Sequence, residues 1–357
     1  FINNYGCFTR GATALAVYSK DMDVAVGYGK NTKGAPHLAA KKCAEMIRRG
    51  LKKSKFTNKL FISLISGPII PKFPIIGYKN MITSPILGEL LTQLLWISHI
   101  MGTGVSREEE VLTELDYIIK DGYLIGCSLM DDGQFFENYQ FYNNKLLTNS
   151  LVLLGILAKD VTFHLGSAHG HHPTGLKFKI TGRRYNGKVL SKLNGKPATT
   201  TIFNSLKWVL PMDEEFGRVE KLYQRFYYYP LGIRIKDNYC PKSIGAVLGE
   251  NILLGTSIDK DIDEVEVLIA SGENILNAVD HALASVPSND ILAGFLVSCA
   301  VRLSTLGKEI YNVYKKLINF FKDAPFILVY GAGEDIHIPN DVIYCYNVSF
   351  NVLIFKG

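Results

Sequence analysis

The chain has 357 residues, 47% of them hydrophobic, with a formal net charge of +6, a pI near 8.8 and a mean hydropathy of +0.11. That length and apolar content can bury a large core and lead us to expect two domains. No apolar run reaches the ~18–20 uninterrupted residues of a spanning helix, and six scattered cysteines without a CxxC pair exclude a zinc ribbon or thioredoxin-type motif.

In chain order, ATALAVYS (12–19) reads as a strand that pairs with VAVGYG (24–29) across the turn KDMD. APHLAAKKCAEMIRRGL (35–51) has helical spacing at Leu38, Cys43, Met46 and Ile47, and LFISLISG (60–67) reads as a buried strand. Much of the basic excess sits in 41–59, read as the solvated face of this helix and its exit. No aromatic interleaving accompanies it, so no nucleic-acid partner is expected.

The most apolar stretch, 73–102, is expected to be a loop followed by a nearly fully buried helix, with Ser84 as N-cap and Pro85 at the first helical position. REEEVLTELDYIIKDG (107–122) is a helix, acidic at its start and ended by Gly122. LIGCSLM, YQFYNNKL, SLVLLGIL and VTFHLGS then suggest a meander of strands with a hairpin turn at Asn143-Asn144.

Asn186-Gly187 and Asn194-Gly195 mark two further hairpins, because both turn residues tolerate positive φ. Beyond them come LGIRI, AVLGENILLG, EVEVLIA, the helix 273–286, the strand AGFLVSCAV, the helix 307–321, FILVYGAGE and a terminal strand pair. The fold class expected is mixed α/β: two domains of meandering mixed sheets covered by helices, divided as 1–180 and 181–357.

Several enzyme templates fail. There is no GxSxG elbow, P-loop or HExxH, and no helix follows the glycines of VYGAGED (329–335) as a Rossmann turn requires. One cluster stands out: His164, His169, His171 and His172 are four of the chain's eight histidines. If they continue a strand, His169 and His171 share a face and make a candidate metal pair in need of a third ligand. One neutral histidine would suffice for haem, and a polar junction loop lining a pocket is the remaining reading.

Four stretches in order resemble the FIST family, a two-part sensory input domain of signal-transduction proteins: YLIGCSLMDDGQF…QFYNNKLLTNSLVLLGI (123–156), HGHHPTGLKFKITGRRYNGKVLSKLNGKPA (169–198), LVSCAVRLSTLG (296–307) and YGAGEDIHIPNDVIYCYNVS (330–349). The resemblance implies N- and C-terminal FIST-type parts and a small, amino-acid-like ligand, and in one branch a haem that senses nitric oxide. This chain departs from the family in carrying no appended output segment, so the output module is expected to be another protein, a signalling partner, or to be absent.

Arg302 ends the run AGFLVSCAV, and Glu334 follows the glycines that end FILVYGAG. If those strands run parallel and adjacent, both side chains reach one rim. There the guanidinium fork suits a carboxylate, the glutamate an amine, and Asn347 adds a neutral hydrogen-bonding edge. A salt bridge tying the helix after Arg302 to the final hairpin is the alternative. Cys299 becomes a nucleophile only beside a histidine. Asp131 and Asp132 form either an Asx turn or a ligand contact.

The candidate ligand set is therefore Arg302, Glu334, Asn347, Asp132, His172 and Cys299, with His169 and His171 as the metal candidates. The expected function is a non-catalytic, small-ligand-binding sensory protein of a reducing cytoplasm, without membrane insertion. The alternatives are a haem-binding nitric oxide sensor and a metal-dependent hydrolase using the 164–172 histidines.

Overall fold

The computed structural model describes residues 1–71, 80–131, 133, 135–209, 222, 224–340 and 344–357, and the backbone alone at 344 and 345. Helices and strands are mixed throughout, in three main sheets and one small hairpin. The first sheet runs in the order Tyr344–Tyr346, Gly333–His337, Tyr123–Leu129, Asn58–Ser66, Ser150–Ala158, Met22–Lys30. The second runs Thr162–Ala168, Phe350–Lys356, Ile291–Cys299, Phe326–Gly331, Ile2–Asn3, Gly6–Cys7. Strands from either side of residue 180 thus share both sheets.

These two sheets pack face to face through Leu60, Ile125 and Ile156 on one side and Phe163, Val297 and Leu353 on the other. Helices Pro36–Leu51 and Glu108–Ile119 cover the outer face of the first sheet through Ala40, Cys43, Ile47, Val111 and Leu115. Helices Gly272–Ala284 and Ile310–Phe321 cover the outer face of the second through Ile275, Val279, Val313 and Leu317. The result is four layers, helix–sheet–sheet–helix, each amphipathic element burying one face.

The third sheet is antiparallel except at one edge, where Met81–Ile82 pairs in parallel with Ile244–Leu248. It links Leu231–Ile235 and Asn238–Lys242 to Glu264–Ile269, His172–Arg184, Val189–Leu193, Asn251–Leu254 and Ile244–Leu248. The Asn-Gly turns form as their chemistry requires: Asn186, Gly187, Asn194 and Gly195 all have positive φ. Helix Ala198–Ser205 fills this sheet's own core with Ile202 and Phe203.

Several local readings change. Residues 12–19 form no strand, and Met22–Lys30 pairs instead with Ser150–Ala158, 120 residues away at its closing register Lys30↔Ser150. The 123–168 strands are not a meander in order, because Asn58–Ser66 inserts between Tyr123–Leu129 (parallel) and Ser150–Ala158 (antiparallel). Helix Pro85–Ile97 starts at the Ser84 cap as expected, yet it leaves Ile86, Leu90 and Ile97 exposed and is not fully buried. The terminal strands do not pair with each other, since Tyr344–Tyr346 joins the first sheet and Phe350–Lys356 the second.

Among the described residues no helix is long and apolar enough to cross a membrane. Cys7, Cys43, Cys127, Cys240 and Cys299 are free thiols, and the side chain of Cys345 lies outside the described residues.

Candidate functional site

Strands Ile291–Cys299 and Phe326–Gly331 do run parallel and adjacent, with Cys299 opposite Gly331. The chain then turns at Ala300 into the short helix Val301–Leu306, which carries Arg302 into the interior at 2% exposure. Its Nη2 donates to the Ile275 carbonyl at 2.6 Å, and its guanidinium lies 5.7 Å from the centre of the Phe350 ring. Nη1 has no partner. Among the described residues Arg302 forms no ion pair, and burial lowers its pKa to about 10.

Glu334 sits on Gly333–His337 in the first sheet, fully buried, with Oε2 accepting from the Ser349 amide at 3.1 Å and the Ser349 hydroxyl at 3.0 Å. Burial pushes its carboxyl up to about 8 against the pull of Ser349, the Cys299 thiol and Arg302. The same burial, with Glu334 beside it, holds the Cys299 thiol far above its ordinary range. A thiol so placed is a small hydrophobe with a hydrogen bond, not a nucleophile. Arg302, Glu334 and Cys299 are therefore brought together.

Asn347 lies on the segment leading from Tyr344–Tyr346 to Phe350–Lys356, and its Oδ1 accepts from the Ser243 amide at 3.1 Å and the Thr256 hydroxyl at 3.0 Å. It joins a second buried polar group on the other face of the Gly333–His337 strand, because alternate residues of a strand face opposite ways. That face presents Gly333 and Asp335, beside Ser128 of the neighbouring strand. Glu108, at the start of helix Glu108–Ile119, closes over them. The carboxyl ends of the parallel strands and a helix N-terminus meet here, where α/β proteins place ligands.

Around this face the charges are dense. Lys33, fully buried, donates to the Ser66 and Gly67 carbonyls at 2.7 and 2.6 Å. Burial lowers its pKa to about 7, with Glu108 opposing and Lys188 and Arg107 adding to the fall. Lys188 of the third sheet reaches Glu109 at 3.1 Å and Glu108 at 3.7 Å. Burial and Glu109 raise Glu108, and burial and Glu108 raise Asp335. For Glu109 itself Lys188 and Lys242 outweigh burial, and it stays below the usual range.

His164 lies on strand Thr162–Ala168 and His172 opens strand His172–Arg184, while residues 169–171 form the crossover that links the second sheet to the third, with Gly170 at φ +75 against the Asn274 carbonyl, where a side chain would collide. His169 Nδ1 accepts from the His171 amide at 3.0 Å, so Nε2 carries the proton donated to the Tyr239 carbonyl, also at 3.0 Å. His171 Nδ1 pairs with the His169 carbonyl at 3.1 Å. Burial lowers the two rings to about 4 and about 3, leaving both neutral. Their ring centres are 5.9 Å apart, and among the described residues no cluster of three histidine, cysteine or acidic side chains could hold a metal.

His172 is exposed. Asp131 is an Asx-type turn, accepting from Gly133, Phe135 and Phe136 amides, and Asp132 lies outside the described residues. Sequence reading missed Glu108, Lys33, Lys188, Ser128 and Asp335. The one signal was the run Glu108–Glu110 at a helix start, which reads equally well as a dipole complement.

No curated protein matches the chain. Residues 1–196, more than half of the 357, match the family model of the FIST N domain, a sensory and signalling domain. This chain belongs to the FIST family.

Proposed function

We propose that this protein is a non-catalytic, cytoplasmic sensory protein that binds a small, anionic, amino-acid-like ligand and reports its occupancy to a separate signalling protein. The observation that carries this reading is Arg302, a buried guanidinium with an open Nη1 and no ion pair among the described residues. A buried charge is costly unless paired, and the open edge of a guanidinium matches a carboxylate. Glu334, held mostly neutral by burial, leaves that positive charge uncancelled while keeping a polar edge beside Cys299.

For the haem alternative, His169 Nε2 and His171 Nδ1 are engaged by backbone carbonyls, and the buried His171 Nε2 is the open imidazole nitrogen of that pair. An absorption spectrum of freshly purified protein is expected to lack a Soret band. Arg302→Lys tests the main reading, because it keeps the charge and loses the fork. Binding of the co-purified anion, followed by native mass spectrometry, is expected to fall at least roughly tenfold, the worth of about one charge-assisted hydrogen bond. The melting temperature should change little. A large drop in melting temperature with anion retention unchanged would instead make Arg302 a purely structural cation.

A further inference from the structure

Helix Pro85–Ile97, continued by the short turn Ser98–Met101, is apolar on two sides but packs on one. Its inner side sets Leu91 and Leu95 against Ile82, Ala246 and Leu248. Gly88 lets it approach closely, since a Cβ there would lie 2.2 Å from the Gly249 amide nitrogen. The outer side carries Ile86 at 85% exposure, Leu90 at 51%, Ile97 at 56% and Ile100 at 86%. Exposed Gln93 stands among them. Spacings of four, three, four and three residues put all five on one stripe, the seam pattern of paired helices.

A helix apolar on opposite sides is ordinarily one with two neighbours. Among the described residues nothing covers the second side. With Met101 beside it at 73% exposure, the stripe presents on the order of 600 Å² of apolar surface, the upper end of what a monomer leaves in one patch. Two copies closing on each other would remove about 1,200 Å² from water, which reaches the size of a stable interface.

The stripe also fits itself. Gln93 stands seven residues from Ile86 and seven from Ile100, with Leu90 and Ile97 between. Turned end for end, the stripe still presents two aliphatics, an amide and two aliphatics, which is what a two-fold axis requires of a surface. Antiparallel pairing sets the helix dipoles head to tail. The Gln93 amide both donates and accepts, so it can pair with its own copy near the axis and fix the register. No lysine or arginine lies between Pro85 and Met101, so the stripe lacks the cations that hold a helix to anionic lipid. Its one acid, Glu89, is already held by Arg184 at 2.7 and 2.9 Å and by Asn251 at 3.1 Å.

We infer that this helix face is the contact between two copies of the chain, paired antiparallel about a two-fold axis near Gln93. The pairing is independent of an anion at Arg302, so the two readings fail separately.

Sedimentation velocity of the full chain should show a monomer–dimer equilibrium in the micromolar range. Ile86→Lys and Ile100→Glu alter side chains that touch little within one copy, so each variant should melt as the wild type does. Each should weaken the dimer at least roughly tenfold, because it sets an unpaired charge against an aliphatic. Mixing the two variants should restore pairing. An antiparallel pair brings the introduced ammonium against the introduced carboxylate at one end and keeps Ile86 against Ile100 at the other. A chain monomeric at the highest attainable concentration, a dimer unmoved by both substitutions, or a mixture no tighter than the single variants would each overturn the assignment. A monomer that floats with phosphatidylcholine vesicles, and no longer does so as Ile100→Glu, would overturn it in favour of a lipid surface.

Discussion

Glu334 and the two crossover histidines bias stability with pH in opposite directions. The folded state holds the Glu334 proton up to about pH 8, whereas the unfolded chain releases it near 4.5, so this contribution is complete below 4.5 and lost as pH rises through about 8. Glu334→Gln keeps the neutral form and should flatten that loss. Between about pH 5 and about pH 9 the wild-type melting temperature should fall relative to the variant. His169 and His171 are held at about 4 and about 3, below the 6.5 of a free imidazole, so their contribution is present above 6.5 and lost as pH falls. His171→Asn, which keeps a donor for the His169 carbonyl but cannot take up a proton, should lose less stability in acid. Melting curves that stay parallel at every pH would contradict both assignments.

At the scale of elements, the contact between helix Pro36–Leu51 and the edge strand Met22–Lys30 depends on a missing side chain. A Cβ on Gly29 would lie 1.9 Å from the Ala39 carbonyl, so Gly29→Ala should push the helix off the sheet. The expected loss is about 1–3 kcal/mol or more by urea denaturation, while Gly272→Ala, with nothing near its added Cβ, should stay within about 0.5 kcal/mol.

Elements of this kind were largely legible in the sequence where the signal is local. Ser84 and Ser271 cap their helices by accepting from Leu87 and Asn274 amides, and alternation or apolar runs mark most strands. Residues 12–19 carry an apolar, strand-like run, yet among the described residues no partner strand reaches them, and pairing over long sequence separations leaves no local trace. Helix Pro85–Ile97 is apolar nearly all round, but apolarity does not reveal which side has a neighbour.

The whole molecule depends on strands exchanged across the chain. Gly333–His337 pairs with Tyr123–Leu129 in the first sheet, and Thr162–Ala168 pairs with Phe350–Lys356 in the second. Fragments 1–168 and 200–357, expressed separately, should therefore lack cooperative unfolding transitions, and co-expression should recover a complex. Two fragments that each melt cooperatively would contradict this interlocking.

The same exchange explains which parts of the site could be read in advance. Arg302 and Glu334 were recognisable because each follows a strand that the sequence marks clearly. The polar group around Gly333 was not, since Glu108, Ser128 and Asn347 are 20 or more residues apart and each alone looks ordinary. The central claim is that this FIST protein holds a small ligand in its buried polar interior. Native mass spectrometry of freshly purified protein, beside a denatured control, tests it most directly. The account predicts a native mass exceeding the denatured one by that of a small molecule, with the excess lost in Arg302→Lys. Equal native and denatured masses, or an excess unchanged in Arg302→Lys, would contradict it.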